Sequence, residues 1–194
     1  PAVRRQLTVA LADEPGLPRL PGTAEEAAAL HARHPGHPLL TGTGATAANV
    51  QAALADCTWA HFACHAGVDP DISARAVLHL HGSELPVEAI SRLPLETADL
   101  AYLSACSTAA RGRYADEPNL ASAFQLAGFR HVVASLWPLT DAVAAEAARF
   151  FYRTLGDTPT ADGTAHAVRA TARDLRSRYP DRPDLWAALV HSGP

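Results

Sequence analysis

The 194-residue chain contains no methionine and no lysine, only three cysteines, and no apolar run of 18 residues. Each scarcity excludes something. Cys57, Cys64 and Cys106 lack paired spacing, so they do not read as a disulfide framework and fit free thiols in a reducing, cytoplasmic compartment. They also lack the Cys-x-x-Cys spacing of a structural zinc site, and no metal or other cofactor is expected. Without a long apolar run, or a charged start followed by a short apolar core, neither a membrane span nor a secretion signal is expected. All 16 basic residues are arginine and 20 acidic residues outnumber them, for a net charge of -4. That balance argues against a nucleic-acid-binding surface. The absence of methionine extends to the first position, so the start Pro1-Ala-Val-Arg-Arg reads as a segment of a longer multidomain protein. Abundant alanine and exclusive use of arginine suggest a high-GC bacterial source.

The length suits one domain with a substantial core. Residues 7 to 11 read as a strand, followed by a Pro/Gly loop. Thr23 reads as a helix cap, with Glu25 and Glu26 in the first turn of a helix reaching about Arg33. A short strand at 37 to 41 and a helix at 46 to 54, with Val50 and Leu54 on one face, follow. Strands are expected at 58 to 64, 76 to 80, 99 to 105 and 131 to 136. Residues 66 to 74 read as a polar loop and 85 to 93 as a short helix. Asn119 should cap a helix ending at Gly128, and Thr140 a long one from Asp141 to about Leu155. Gly156 to Gly163 reads as a mobile link to two closing helices, near 164 to 179 and 184 to 191. Alternating strands and helices with near-continuous apolar strand interiors predict an α/β fold, a mostly parallel sheet covered on both faces.

Two of these strands end on reactive side chains. Thr58-Trp-Ala-His-Phe-Ala-Cys-His-Ala-Gly67 stops at His65, and Asp99-Leu-Ala-Tyr-Leu-Ser-Ala-Cys-Ser-Thr108 ends by presenting Cys106 at a polar turn. In a parallel sheet the carboxyl ends of the strands share one edge, so the two residues can face one cleft despite 41 positions between them. A thiolate is an effective nucleophile for acyl transfer. A histidine, with its pKa near 6.5, can take the thiol proton and return it to a leaving amine. His61 and Cys64 invite a metal reading, but strand alternation puts His61 and His65 on one face and Cys64 on the other. His61 is therefore expected to pack with a satisfied ring nitrogen, and Cys57 and Cys64 to lie in the core. Ser104 alternates to the face of Cys106, where it either orients the thiol or satisfies backbone groups. Trp137 and Trp186 read as packing anchors.

The order of segments is more specific than any one of them. After the His65 and Cys106 strands come Asp116-Glu117, Ala121-Ser-Ala-Phe-Gln-Leu-Ala-Gly128, His131-Val-Val-Ala-Ser-Leu-Trp-Pro-Leu-Thr-Asp141 and Asp184-Leu-Trp-Ala-Ala-Leu-Val-His-Ser-Gly193. This order resembles CHAT domains, relatives of caspases and separases. The match is strong over roughly 55 to 194 and weaker over the first 50 residues, within one domain spanning 1 to 194.

The resemblance implies a caspase-like three-layer sandwich and a cysteine endopeptidase with Cys106 as nucleophile and His65 as general base and acid. It implies no cofactor, a protein substrate, and control by attached repeat or sensor domains. The oxyanion donors it implies are the backbone N–H of Cys106 and that of Ala66 or Gly67. Here Ala66 stands where the commoner family pattern has glycine directly after the histidine. The segment Leu-Trp-Pro-Leu-Thr-Asp141 resembles separase Leu-Trp-Asp-Val-Thr-Asp. It makes Asp141 either a substrate-selecting carboxylate or a favourable charge in a helix's first turn. Pro138 replaces the first acidic position of that segment. Asp116 and Glu117 match an acidic pair common in CHAT sequences and are candidates to line the substrate groove. Arg111 and Arg113 are candidate self-processing sites. The alternative is a non-catalytic interaction or scaffold module that keeps the fold; a hydrolase acting on a non-peptide acyl group would use the same dyad.

Overall fold

A computed structural model describes residues 5–69, 75–104, 119–156 and 160–194. Its central sheet has the strand order β2-β1-β3-β7-β8-β9. The strands are β1 (Gln6–Ala10), β2 (Leu39–Thr41), β3 (Trp59–Ala63), β7 (Leu100–Leu103), β8 (His131–Ser135) and β9 (Leu189–Ser192). All neighbours pair in parallel except β9, which runs antiparallel to β8. Every residue of β1, β3, β7 and β8 is buried, because helices cover both faces.

Alternation along the strands divides the core into two layers. Ala60, Phe62, Ala101, Leu103 and Val132 pack on α2 (Ala47–Leu54), α3 (Val87–Ser91) and α4 (Leu120–Ala127). From the opposite face Trp59, Leu100, Tyr102 and Val133 pack on α1 (Gly22–Arg33), α5 (Asp141–Leu155) and α6 (Thr164–Arg178). The result is the expected three-layer α/β sandwich. Among the described residues no helix is long and apolar enough to cross a membrane.

Local signals explain most boundaries. Asn119 and Ser122 form a reciprocal capping box at α4, and Thr46 accepts the Asn49 amide at α2. Gly128 ends α4 at φ +126°, with its amide on the carbonyls of Phe124 and Gln125.

Other expectations are corrected. Thr23 lies inside α1 and its hydroxyl donates to Leu20 O, because the helix begins a residue earlier and is capped from another element. Thr140 occupies the N-cap of α5 without a side-chain capping bond. The start of the expected polar loop is a strand, β4 (Ala66–Asp69), in a small antiparallel sheet with β5 (Arg75–Leu80) and β6 (Ser83–Pro86). Its first positions, Ala66 and Gly67, are both small, so they carry no alternation to read. The last expected helix is only α7 (Pro183–Trp186), after which Leu189 to Ser192 joins the sheet as β9. There a short apolar run can be either element, and pairing with β8 decides. Trp186 packs beside Leu185 and Leu175, while Trp137 donates its indole N–H to Asp184 O.

Two measurements probe this framework. A Cβ at Gly128 would lie 2.3 Å from Leu95 O, in a positive-φ conformation. Gly128→Ala should therefore cost about 2 kcal/mol or more of unfolding free energy in urea titrations. At the β8–β9 seam, His131 Nδ1 lies 3.0 Å from His191 Nε2. Burial lowers the pKa of His131, outweighing the opposing pull of Asp99 and Asp162; burial and then His131 lower that of His191. The unfolded chain therefore binds protons first as pH falls, so these histidines favour folding above about pH 6.5 and lose that contribution below it. Stability should drop from pH 7 to 5, and the drop should be shallower in His191→Gln.

Candidate functional site

The site begins with a topological constraint. From β1 the chain passes through α1 to β2 on one side, and then through α2 back across to β3 on the other. The strand order therefore reverses between β1 and β3, the point at which open α/β sheets place their ligand sites, outside the carboxyl ends of the strands. His65 stands there, directly after β3. Its ring Nε2 lies 2.6 Å from the carbonyl oxygen of Pro18, in the loop that follows β1. That loop is tied down by Leu11 N to Ala63 O at 2.9 Å and Leu20 N to Ala12 O at 2.8 Å. His65 O in turn accepts the His79 amide at 2.9 Å. A carbonyl can only accept, so Nε2 carries the proton, and in the neutral ring Nδ1 holds the lone pair. The half-buried imidazole is thus oriented by one nitrogen with the other available as a base.

The neighbouring strand brings the second half of the edge. Phe62 pairs with Leu103, and the amide of Ser104 donates to Phe62 O at 2.8 Å. Ser104 therefore leaves β7 beside the exit of β3 and two residues before Cys106. Its hydroxyl donates to Glu26 Oε1 at 3.1 Å. Cys106, Asp116 and Glu117, with Arg111 and Arg113, lie outside the described residues.

The other predicted positions have definite places. The His79-to-His65 bond marks residues 65 and 79 as a hydrogen-bonded pair of the β4–β5 ladder. Antiparallel alternation then turns the Gly67 amide toward Val77 and the Ala66 amide away from β5. Gly67 is not at positive φ. Its side is instead occupied by His79, whose Nε2 would lie 2.7 Å from an added Cβ. Asp141 sits at the start of α5, and its Oδ2 accepts the amide of Gly22 at 2.5 Å. One carboxylate thus serves the N-termini of α1 and α5 together, a charge placed where both helix dipoles favour it.

Glu26, which the sequence places near the start of a helix, is 2% exposed. Its Oε2 lies 2.9 Å from His61 Nε2, and the His61 Nδ1 lies 3.2 Å from the Tyr152 hydroxyl. In the neutral ring Nε2–H donates to the carboxylate and Nδ1 accepts from Tyr152. Tyr102 stacks on the same imidazole at 5.2 Å. Only two hints were available in sequence: a histidine in an apolar strand, which needs a partner, and a Glu four residues before Leu30 on the inward face of α1. The Pro18 carbonyl carries no sequence signal at all, since every residue has one.

Cysteine chemistry separates by environment. Cys64 is buried, and burial followed by the Glu26 carboxylate pushes its pKa up to about 12. Burial also raises Cys57. Neither forms a thiolate readily at neutral pH. Among the described residues no group of three or more His, Cys, Asp or Glu side chains is arranged to hold a metal.

Glu26→Ala would leave His61 buried and Ser104 without its acceptor. It should cost about 3 kcal/mol or more in equilibrium unfolding, whereas Glu26→Gln, which retains an acceptor and the volume, should cost clearly less.

Comparison with known proteins places this edge in context. The family model described as CHAT domain matches residues 1–194. No curated protein matches the sequence. The Saccharomyces cerevisiae separase–securin complex is similar in two structures, with TM-scores of 0.68 and 0.67 at 15% and 14% identity. In each, the match covers 98% of this chain and 12% of that one. The complex of Porphyromonas gingivalis RgpB pro- and mature domains is similar with a TM-score of 0.63 and 15% identity, over 97% of this chain and 47% of that chain. The chain therefore spans less than half the length of these structural relatives, and identities this low speak for the fold, a caspase-like sandwich, alone. On the strength of the whole-chain family match, the protein belongs to the CHAT domain family.

Proposed function

We propose that this domain is a cysteine endopeptidase that cuts a protein substrate with Cys106 as nucleophile and His65 as general base and acid. The observation that supports this most is the state of His65. It stands at the carboxyl end of β3 with Nε2–H donating to Pro18 O, and the adjacent strand end at Ser104 leads within two residues in sequence to Cys106, while Cys57 and Cys64 are both buried. Two residues span at most about 7 Å of backbone.

In this reading Nδ1 of His65 takes the Cys106 thiol proton as sulfur attacks the scissile carbonyl. The C–S bond forms and the carbonyl π electrons move to oxygen. The Ala66 amide, directed away from the β4–β5 ladder, and the Cys106 amide are the donors for that oxyanion. Collapse breaks the C–N bond, with His65 returning the proton to the departing amine. Water then hydrolyses the thioester, His65 acting as base again. Asp116 and Glu117 line the approach for the substrate. Control comes from repeat or sensor domains joined to this one or brought by a partner.

The test is covalent labelling by a panel of peptide acyloxymethyl ketones, followed by intact mass. Sulfur displaces the carboxylate leaving group to form a stable thioether. Wild-type protein should gain one adduct, Cys106→Ala none, and His65→Ala should react at least about 100-fold more slowly while unfolding like wild type. Failure of every probe, with and without candidate activating partners, would reject the peptidase assignment in favour of a scaffold module.

A further inference from the structure

Beside Ser104 the carboxyl end of β7 opens into a small cleft. Tyr102 and Ser104 line it from β7, Ser135 from the end of β8, Leu139 and Ala144 from the approach and first turn of α5, and Leu189 from the start of β9. Among the described residues that line it, none is charged. Asp141, the acidic residue nearest this cleft in sequence, is not in the lining, and its Oδ2 is engaged by the Gly22 amide. The cleft is also tight. Its volume is about 20 Å³, room for roughly one water.

These facts bear on the choice of substrate. The side chain on the amino side of a scissile bond departs from the carbon next to the attacked carbonyl, so it must enter a recess within a few ångströms of the nucleophile. This cleft shares Ser104 with the strand end that leads to Cys106. An Arg, Lys, Asp or Glu side chain pushed into it would lose hydration and meet, among the described residues, aliphatic groups, a ring and hydroxyls, none of which supplies an opposite charge. A long or aromatic side chain would need Leu139 and Leu189 to move apart.

We propose that this cleft receives the residue preceding the scissile bond and selects small uncharged side chains, alanine and serine foremost. The proposal rests on the Cys106–His65 reading and adds the substrate class to it. Ser104 and Ser135 then serve as polar contacts at the mouth, and Asp141 serves the helix ends and not the substrate.

The experiment compares second-order labelling rates of wild-type protein for acyloxymethyl ketones that differ only in the final residue: Gly, Ala, Ser, Leu, Arg and Asp. Ala or Ser should react fastest, at least tenfold faster than Arg and Asp. Ala144→Leu, which fills the cleft, should lower the Ala-to-Gly rate ratio at least tenfold; a ratio is insensitive to any general loss of folded protein. Fastest labelling by Arg, Asp or Leu, or rates equal within twofold across the panel, would overturn the cleft's role while leaving the dyad standing. No Cys106 adduct from any member would overturn both.

Discussion

A carboxylate removed from water must find partners for both oxygens or take up a proton, and at Glu26 the fold supplies them. One oxygen receives the Ser104 hydroxyl and the other the His61 imidazole, whose far nitrogen meets Tyr152. Four elements converge on this point: α1 brings Glu26, β3 His61, β7 leads to Ser104 and α5 brings Tyr152. Apolar packing alone would let these elements slide by a residue at modest cost. A buried polar cluster tolerates no such slip, because each displaced partner leaves a desolvated group behind. The registry matters since β3 and β7 deliver the two strand ends on which any chemistry at this edge depends.

The same logic runs outward from the core to the edge. Asp141 joins the starts of α1 and α5 through the Gly22 amide, and an added Cβ at Gly22 would come within 2.8 Å of that carboxylate. Pro18 O then fixes the ring of His65 at the point where the strand order reverses. The first contact holds the start of α1 and the second the loop before it, so the segment leaving β1 is held by polar bonds to the start of α5 and to the residue that follows β3. Loops that carry function need such support, because backbone without a core under it has no other reason to adopt one conformation.

Continuous apolar runs and cap residues were enough to place most of the sheet and α4 from sequence, because each of those signals is local. Phe62 and Cys64 against His61 and Ala63 divide two faces that the structure fills with different helices. The β4 and β9 strands were not legible. Neither has a pattern of its own; each exists because a neighbouring strand, β5 or β8, presents an edge to pair with. The site was half legible. His65 announced itself as a polar residue ending an apolar strand, while Glu26 looked like an ordinary first-turn acid, its burial being a property of what α1 packs against. The carbonyl of Pro18 could not be foreseen by any reading of residue types.

Alanine directly after the histidine shows how a local departure can be absorbed. Glycine would be needed at position 66 if the amide had to be reached through positive φ, where a Cβ crowds the backbone. Here Ala66 opens β4 in extended backbone, the conformation an alanine adopts without strain. The ladder set by His65 and His79 points its N–H away from β5 without any unusual torsion. Glycine is still required, but one position later and for a steric reason, since the His79 ring occupies the space a Gly67 side chain would take. His79 is held in turn by Glu84, 3.1 Å from its Nδ1. The small sheet thereby fixes the amide beside His65 through pairing and packing, without a positive φ at Gly67.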